Sequence, residues 1–178
     1  MNTIKVLDKE FKLYITQEKI EAAIKDIADQ INEDYKDKSP LFLVMLNGAF
    51  MFASQLFKGL DIDCETSFVK YSSYEGTQNT YEIKELIGLS SSLEGRDIVI
   101  VEDIIDSGFT IDSLLQKIQD MKASSVRIAT LLFKPNAFRF EYKIDYVGMN
   151  IDNDFIIGYG LDYNGHGRNY ASIYKVIE

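Results

Sequence analysis

Glu102 and Asp103, with a third carboxylate at Asp106, stand beside the short run Ser107-Gly108-Phe109-Thr110, directly after the apolar stretch Ile98-Val99-Ile100-Val101. These residue types at this spacing suit a ligand that carries both an anionic group and hydroxyls. Beyond the run, Ile111, Leu114, Leu115 and Ile118 recur at helical spacing, which puts Ser107 to Thr110 at a helix N-terminus. There the first backbone N–H groups lack helical partners, the macrodipole is positive, and two hydroxyls add donors, so the run predicts a phosphate site. Gly108 permits the close approach or positive φ that a phosphate-wrapping turn uses. Glu102 and Asp103 would repel an anion unless they face its hydroxyls or a metal ion, and sugar hydroxyls and magnesium both suit acceptor-only oxygens. Acidic residues after a buried strand are also common as helix caps, so the pair by itself defines no ligand.

Such a site needs a rigid edge, and the chain alternates strand and helix signals. Ile98 to Val101 are β-branched without a polar break, the pattern of a strand covered on both faces. Leu41 to Leu46 reads as a second buried strand, Asn47-Gly48 as a turn, and Ala49 to Phe57 as a helix. Upstream, Lys12 to Ile15 reads as a short strand and Thr16 as the N-cap of a helix with apolar positions Ile20, Ala23, Ile24, Ile27 and Ile31. Thr66 to Tyr71 and Tyr81 to Gly88 read as strands flanking a polar loop, Ser72 to Thr80. Val126 to Phe133 follows the helix of the acidic run as a further strand, completing a strand-helix-strand crossover, and short strands are expected at Asp145 to Val147, Phe155 to Ile157 and Ser172 to Val176. The expected fold class is α/β, with a central, mostly parallel twisted sheet flanked by helices.

Length and composition narrow the function. At 178 residues and 20.3 kDa the chain fits a single domain, 1–178, large enough for a sizeable core. A formal net charge of -9 speaks against a nucleic-acid partner, and it means that a polyanionic substrate needs cations as well as backbone dipoles, which favours magnesium carried in with it. Met1 to Glu10 lacks the apolar core of a signal peptide, and the most apolar region, Leu41 to Phe57, is interrupted by Asn47, Gly48, Ser54 and Gln55. No membrane partner and a cytoplasmic location are therefore expected. Cys64 is the single cysteine, so an internal disulfide is excluded, and it reads as a small core or strand residue.

Other candidates read blandly by position. Lys134 follows a strand at the edge where α/β sheets bind ligands, but a lysine at a strand exit is more often solvated. Asp106 has the position of a helix-capping aspartate, Phe155 of a core aromatic, Asp162 of a turn residue and Arg168 of a surface arginine. His166, the sole histidine, lies between Gly165 and Gly167 without a nucleophile partner and reads as an exposed loop residue.

The string Glu102-Asp103-Ile104-Ile105-Asp106-Ser107-Gly108 closely resembles the phosphoribosyl diphosphate signature of the type I phosphoribosyltransferases, in particular the branch that salvages hypoxanthine and guanine. Phe155-Ile156-Ile157-Gly158-Tyr159-Gly160-Leu161-Asp162 resembles the C-terminal segment of the same family, and Leu46-Asn47-Gly48-Ala49 its diphosphate loop, often built on a cis peptide. The likeness runs from about Leu41 to Arg168. It implies the family's fold, with a small hood formed from parts of 1–15 and 150–178 and a flexible active-site loop. It also implies transfer of the 5-phosphoribosyl group to N9 of a 6-oxopurine, giving IMP or GMP and diphosphate.

Residue roles follow from the same resemblance. Ser107, Gly108, Phe109 and Thr110 would hold the donor's terminal phosphate, Glu102 and Asp103 its ribose hydroxyls, and Asn47, Gly48 and Arg168 its diphosphate. Asp106 would touch the donor and act as the catalytic proton-handling group beside purine N7. Lys134 would donate to the purine O6, Phe155 would stack on the ring, and the backbone of Ile156 would read its edge, with Asp162 beside it. Magnesium would be held by Glu102, Asp103 and Asp162. Ser73 and Tyr74 would form a lid that excludes water during transfer. Lys134 offers donors only, so adenine should be rejected. Relatives generally assemble as homo-oligomers, dimers or tetramers. The chain departs from many relatives at Asn47, where they carry lysine, at Phe109, where some carry a basic residue, and at Asn169, where some carry aspartate. Two rival readings are a P-loop phosphohydrolase, whose G-x-x-x-x-G-K-[ST] string is absent, and a non-catalytic nucleotide sensor of the same fold, which fits poorly with an acidic chain retaining Lys134, Phe155 and Asp162.

Overall fold

The computed structural model describes residues 3–75, 81–87 and 92–177, with side chains outside 72–75 and 81–87. Ten strands and three helices are present among them: β1 (Thr3–Val6), β2 (Lys9–Ile15), α1 (Gln17–Asp34), β3 (Leu41–Leu46), α2 (Phe50–Lys58), β4 (Glu65–Glu75), β5 (Tyr81–Ile87), β6 (Asp97–Ile105), α3 (Phe109–Asp120), β7 (Ser125–Phe133), β8 (Tyr146–Asn150), β9 (Ile156–Ile157) and β10 (Ile173–Val176). They form a six-stranded sheet in the order β5-β4-β3-β6-β7-β8 and a four-stranded sheet in the order β1-β2-β10-β9. In the larger sheet every neighbouring pair is parallel except β4 with β5.

Helix packing explains why the central strands are apolar throughout. Helix α1 buries Ile20, Ile24, Ile27, Ala28 and Ile31, one stripe at i, i+3 and i+4 spacing, and contacts β7 and β8. Helix α2 buries Phe52, Ala53 and Leu56 against β3 and β6. Between helices, Leu41 to Val44 and Ile98 to Val101 are each 2% exposed or less. Full burial of one such side chain contributes about 2 kcal/mol, so a truncation such as Ile27→Ala strikes both the helix and the sheet beneath it. Thr16 occupies the N-cap of α1 in extended geometry, but its side chain makes no capping bond.

Two sequence expectations change. Ser72 to Glu75, read as loop from their polarity, continue β4, because antiparallel pairing with β5 satisfies their backbone at Ser73↔Ile83 and Tyr74↔Glu82. The remainder of that loop reading, 76–80, lies outside the described residues. β1 was not anticipated, and it forms because β2 offers it a partner from Thr3↔Lys12 to Val6↔Lys9. Cys64 precedes β4 and is half-buried against the main core. Among the described residues no helix is long and apolar enough to cross a membrane.

Candidate active site

β6 runs further than its apolar stretch and delivers Glu102 and Asp103 to the carboxyl edge of the sheet. Both side chains line one cleft at that edge. Asp103 is 8% exposed and pressed against the loop after β3: a Cβ added at Gly48 would lie 1.8 Å from Asp103 Oδ2. The Leu46–Asn47 peptide there is cis. Gly160 closes on the same loop from the other side, its backbone so near that an added Cβ would sit 2.0 Å from the Gly48 carbonyl. Only glycines allow these three chain segments to meet.

Burial pushes the Glu102 carboxyl well above the usual range, and the adjacent Asp103 charge pushes the same way. Asp103 is also raised by burial, against the opposing pull of its hydrogen bonds and of Arg168. Asp103 N–H donates to Glu102 Oε1 at 3.1 Å, tying the two together. The all-oxygen chemistry of the pair fits magnesium that keeps waters and phosphate oxygens as its other ligands. Asp162 is already partnered: its carboxylate meets Arg168 at 2.6 Å and accepts from Gly165 N–H at 2.7 Å. Among the described residues no group of three or more acidic, His or Cys side chains is placed to hold a metal by itself.

A cleft of about 410 Å³ joins these groups to the rest of the predicted set, being lined by Leu46, Gly48, Glu102, Asp103, Asp106, Lys134, Phe155, Ile156, Asp162 and Arg168 among others. A smaller hollow of about 120 Å³ adjoins it, lined by Glu102, Asp106 and each residue from Ser107 to Thr110. Gly108 takes φ 89°, the left-handed turn that lets α3 begin at Phe109. Lys134 is not a solvated lysine: it is 8% exposed, and its Nζ donates to Asp106 Oδ2 at 2.8 Å. Phe155 has the reverse character, an aromatic left 45% exposed at the cleft. Phe11 and Tyr163 hold its ring from behind at 6.2 and 5.7 Å between centroids. Arg168 spans the turn after β9, donating to the Gly160 carbonyl at 2.7 Å as well as pairing with Asp162.

Some predicted positions stand apart. Asn47 is exposed and is not among the cleft-lining residues, and Asn169 and His166 are exposed. Phe109 lines the hollow and meets Phe140 edge-on at 5.4 Å. Ser73 and Tyr74 have their backbones in β4. Sequence reasoning missed Asp154 and Leu161, which line the cleft, and Asp154 is paired with Lys175 at 2.6 Å. Adjacency to Phe155 was the available signal for Asp154. Phe11 carried none, because an apolar residue on a strand looks the same whether it supports a site or fills a core.

A mostly parallel sheet with carboxylates, a left-handed glycine turn at a helix N-terminus and a buried lysine converging at its carboxyl edge defines an α/β protein with its cleft at the strand ends, where such sheets bind ligands. The chain belongs to the phosphoribosyl transferase family: the profile of the phosphoribosyl transferase domain matches residues 14–164. It is 40% identical over 163 residues to the hypoxanthine-guanine phosphoribosyltransferase of Bacillus subtilis (strain 168), covering 91% of each chain. Its identity to the protein of that name from Streptococcus thermophilus is 39% over 174 residues, covering 96% of this chain and 97% of the other. Among solved structures it matches a hypoxanthine-guanine phosphoribosyltransferase of Bacillus anthracis with TM-score 0.88 and 30% identity, over 97% of this chain and 100% of that one. A Staphylococcus aureus hypoxanthine phosphoribosyltransferase gives TM-score 0.88 at 34% identity, over 93% and 91% respectively.

Proposed function

We propose that this protein is a purine salvage enzyme that transfers the 5-phosphoribosyl group from phosphoribosyl diphosphate to N9 of hypoxanthine and/or guanine, giving IMP or GMP and diphosphate. The observation that carries the reading is the buried Lys134 paired with Asp106 in a cleft that also holds the exposed face of Phe155 and adjoins the phosphate-type hollow.

A purine entering this cleft stacks on Phe155, is read along its edge by the Ile156 backbone, and takes the Lys134 ammonium on its O6. That frees Asp106 to accept a bond from the N7 side and handle the proton. An amino group at the purine's sixth position sets donor against donor at the Lys134 ammonium, which is the basis for rejecting adenine. The hollow from Ser107 to Thr110 receives the donor's terminal phosphate on backbone N–H groups and hydroxyls. Glu102 and Asp103 accept from the ribose hydroxyls, and Gly48 N–H and Arg168 face the diphosphate. Glu102, Asp103 and Asp162 would hold magnesium, directly or through water, and the ion would supply charge neutralisation for the leaving diphosphate. Ser73 and Tyr74 belong to a lid that keeps water from the developing cationic sugar.

We further propose that the chain works as a single domain whose hood is the four-stranded sheet, as a homo-oligomer (dimer or tetramer), in the cytoplasm.

The test is a steady-state assay with phosphoribosyl diphosphate and magnesium, offering hypoxanthine, guanine, xanthine and adenine separately. Monophosphate from hypoxanthine or guanine but not adenine is expected. No turnover with any base would overturn the reading.

A further inference from the structure

The loop between β6 and α3 is engaged residue by residue by the segment that follows β7. Ile105 O accepts from Lys134 N–H at 2.9 Å and Asp106 Oδ2 from Lys134 Nζ at 2.8 Å. Ser107 O accepts from Arg139 N–H at 3.2 Å, and Gly108 O from the Tyr142 hydroxyl at 3.2 Å. The Phe109 ring meets Phe140, and a Cβ added at Gly108 would lie 2.5 Å from the Phe138 ring. One stretch, 134–142, thus forms the back wall of the whole turn.

Within that wall Tyr142 brings a side-chain donor, its hydroxyl, to a peptide carbonyl of the turn. Its ring is fixed independently, stacked on Phe140 at 5.5 Å and edge-on to Phe138 at 5.3 Å. The Gly108 carbonyl also accepts the first helical N–H, from Asp112 at 2.9 Å. Two donors therefore hold one carbonyl toward the helix and the aromatic wall. In a planar trans peptide the C=O and the following N–H point opposite ways, so this anchoring turns Phe109 N–H away from the wall. The hollow that Phe109 lines does not include Tyr142. Burial, with the Asp112 charge added, raises the Tyr142 hydroxyl above the usual phenol range, so it is a donor at any working pH.

We propose that Tyr142 is a positioning residue whose hydroxyl orients the Gly108–Phe109 peptide for the phosphate of the ligand. The proposal rests on reading Ser107 to Thr110 as the phosphate turn. Tyr142→Phe keeps the ring and removes the hydroxyl, and it is compared with the unaltered protein for binding of phosphoribosyl diphosphate by calorimetry and for steady-state constants. The expected result is a dissociation constant and KM for phosphoribosyl diphosphate raised about fivefold, the scale of one hydrogen bond, with kcat and the KM for hypoxanthine changed by less than about twofold. Unchanged donor binding in the variant would overturn the proposal, and so would equal losses for donor and purine, which mark general loosening. Failure of the unaltered protein to bind phosphoribosyl diphosphate would bring down the phosphate-turn reading itself.

Discussion

Lys134 carries an ammonium group into a position 8% exposed and sets it against a carboxylate that is itself largely open to solvent. That asymmetry leaves Asp106 accessible to a ligand while Lys134 reaches only what enters the cleft. Lys134→Ala is expected to lower the ratio of hypoxanthine to adenine turnover at least tenfold, and an unchanged ratio would remove its role in selectivity. Asp106→Asn retains shape and a partner for Lys134 but cannot take up a proton. Turnover should fall about 100-fold or more while donor binding stays within a few-fold, and normal turnover would refute the assignment. Most of these residues were legible in the sequence as part of short strings. The burial of Lys134 was not, because it depends on the loop packed over it from β6, 28 residues away along the chain.

At the scale of elements, the site depends on how closely three strand exits converge. Gly48→Ala would drive a methyl group into Asp103, and overpacking of this kind costs about 1–3 kcal/mol. Its unfolding midpoint should drop and its donor KM rise together, whereas a wild-type value for both would mean that the loop moves aside freely. At the opposite end of the sheet, the last turn of α1 is moored to β7 and β8. Tyr146 donates its hydroxyl to Asp34 Oδ2 at 2.7 Å and accepts from Arg127 at 2.6 Å, while Arg127 pairs with Asp34. The Tyr146 hydrogen bond, followed by the Arg127 charge, holds the Asp34 carboxyl below its ordinary value. A carboxyl whose folded pKa is depressed contributes stability above its unfolded pKa of about 3.9 and loses it as pH falls through the folded value. For a half-exposed group the amount is about 1 kcal/mol or less after solvent screening. Denaturant unfolding between neutral pH and pH 3 should therefore show a shallower acid decline for Asp34→Asn than for the unaltered protein, and parallel declines would dismiss the linkage. None of this mooring was readable from sequence, since Asp34, Arg127 and Tyr146 look like ordinary surface and strand residues until the strand order brings them together.

The whole molecule is two sheets of unequal strength. The larger one has helices packed on it and a continuous core, whereas the four-stranded sheet lends that core Ile15, Ile156 and Ile173 and otherwise buries a small cluster centred on Val6, Phe11 and Ile157. Hydrogen exchange should show the slowest amides in β3, β6 and β7 and markedly faster exchange in β1, β2 and β10, because local opening follows the amount of buried apolar contact. Equal protection in both sheets would show that they open as one unit. Phe155 is backed by Phe11 of the smaller sheet and by Tyr163, whereas Asp106 and Lys134 meet at the edge of the larger one, so in the proposed reaction the stacking ring and the proton-handling pair rest on different sheets. The sequence by itself determined the α/β alternation, the apolar central strands, the acidic run and its turn, and with them the family likeness. Each of these is written in residues within one strand or one helical turn of each other, where periodicity and hydrogen-bonding chemistry act locally. Only the tertiary structure decided that Lys134 meets Asp106, that Arg168 occupies Asp162, that Gly48 lies against Asp103 and that Tyr142 anchors Gly108. These meetings depend on strand order and on which loops pack at one edge of the sheet, and no local pattern of side chains encodes such long-range contacts.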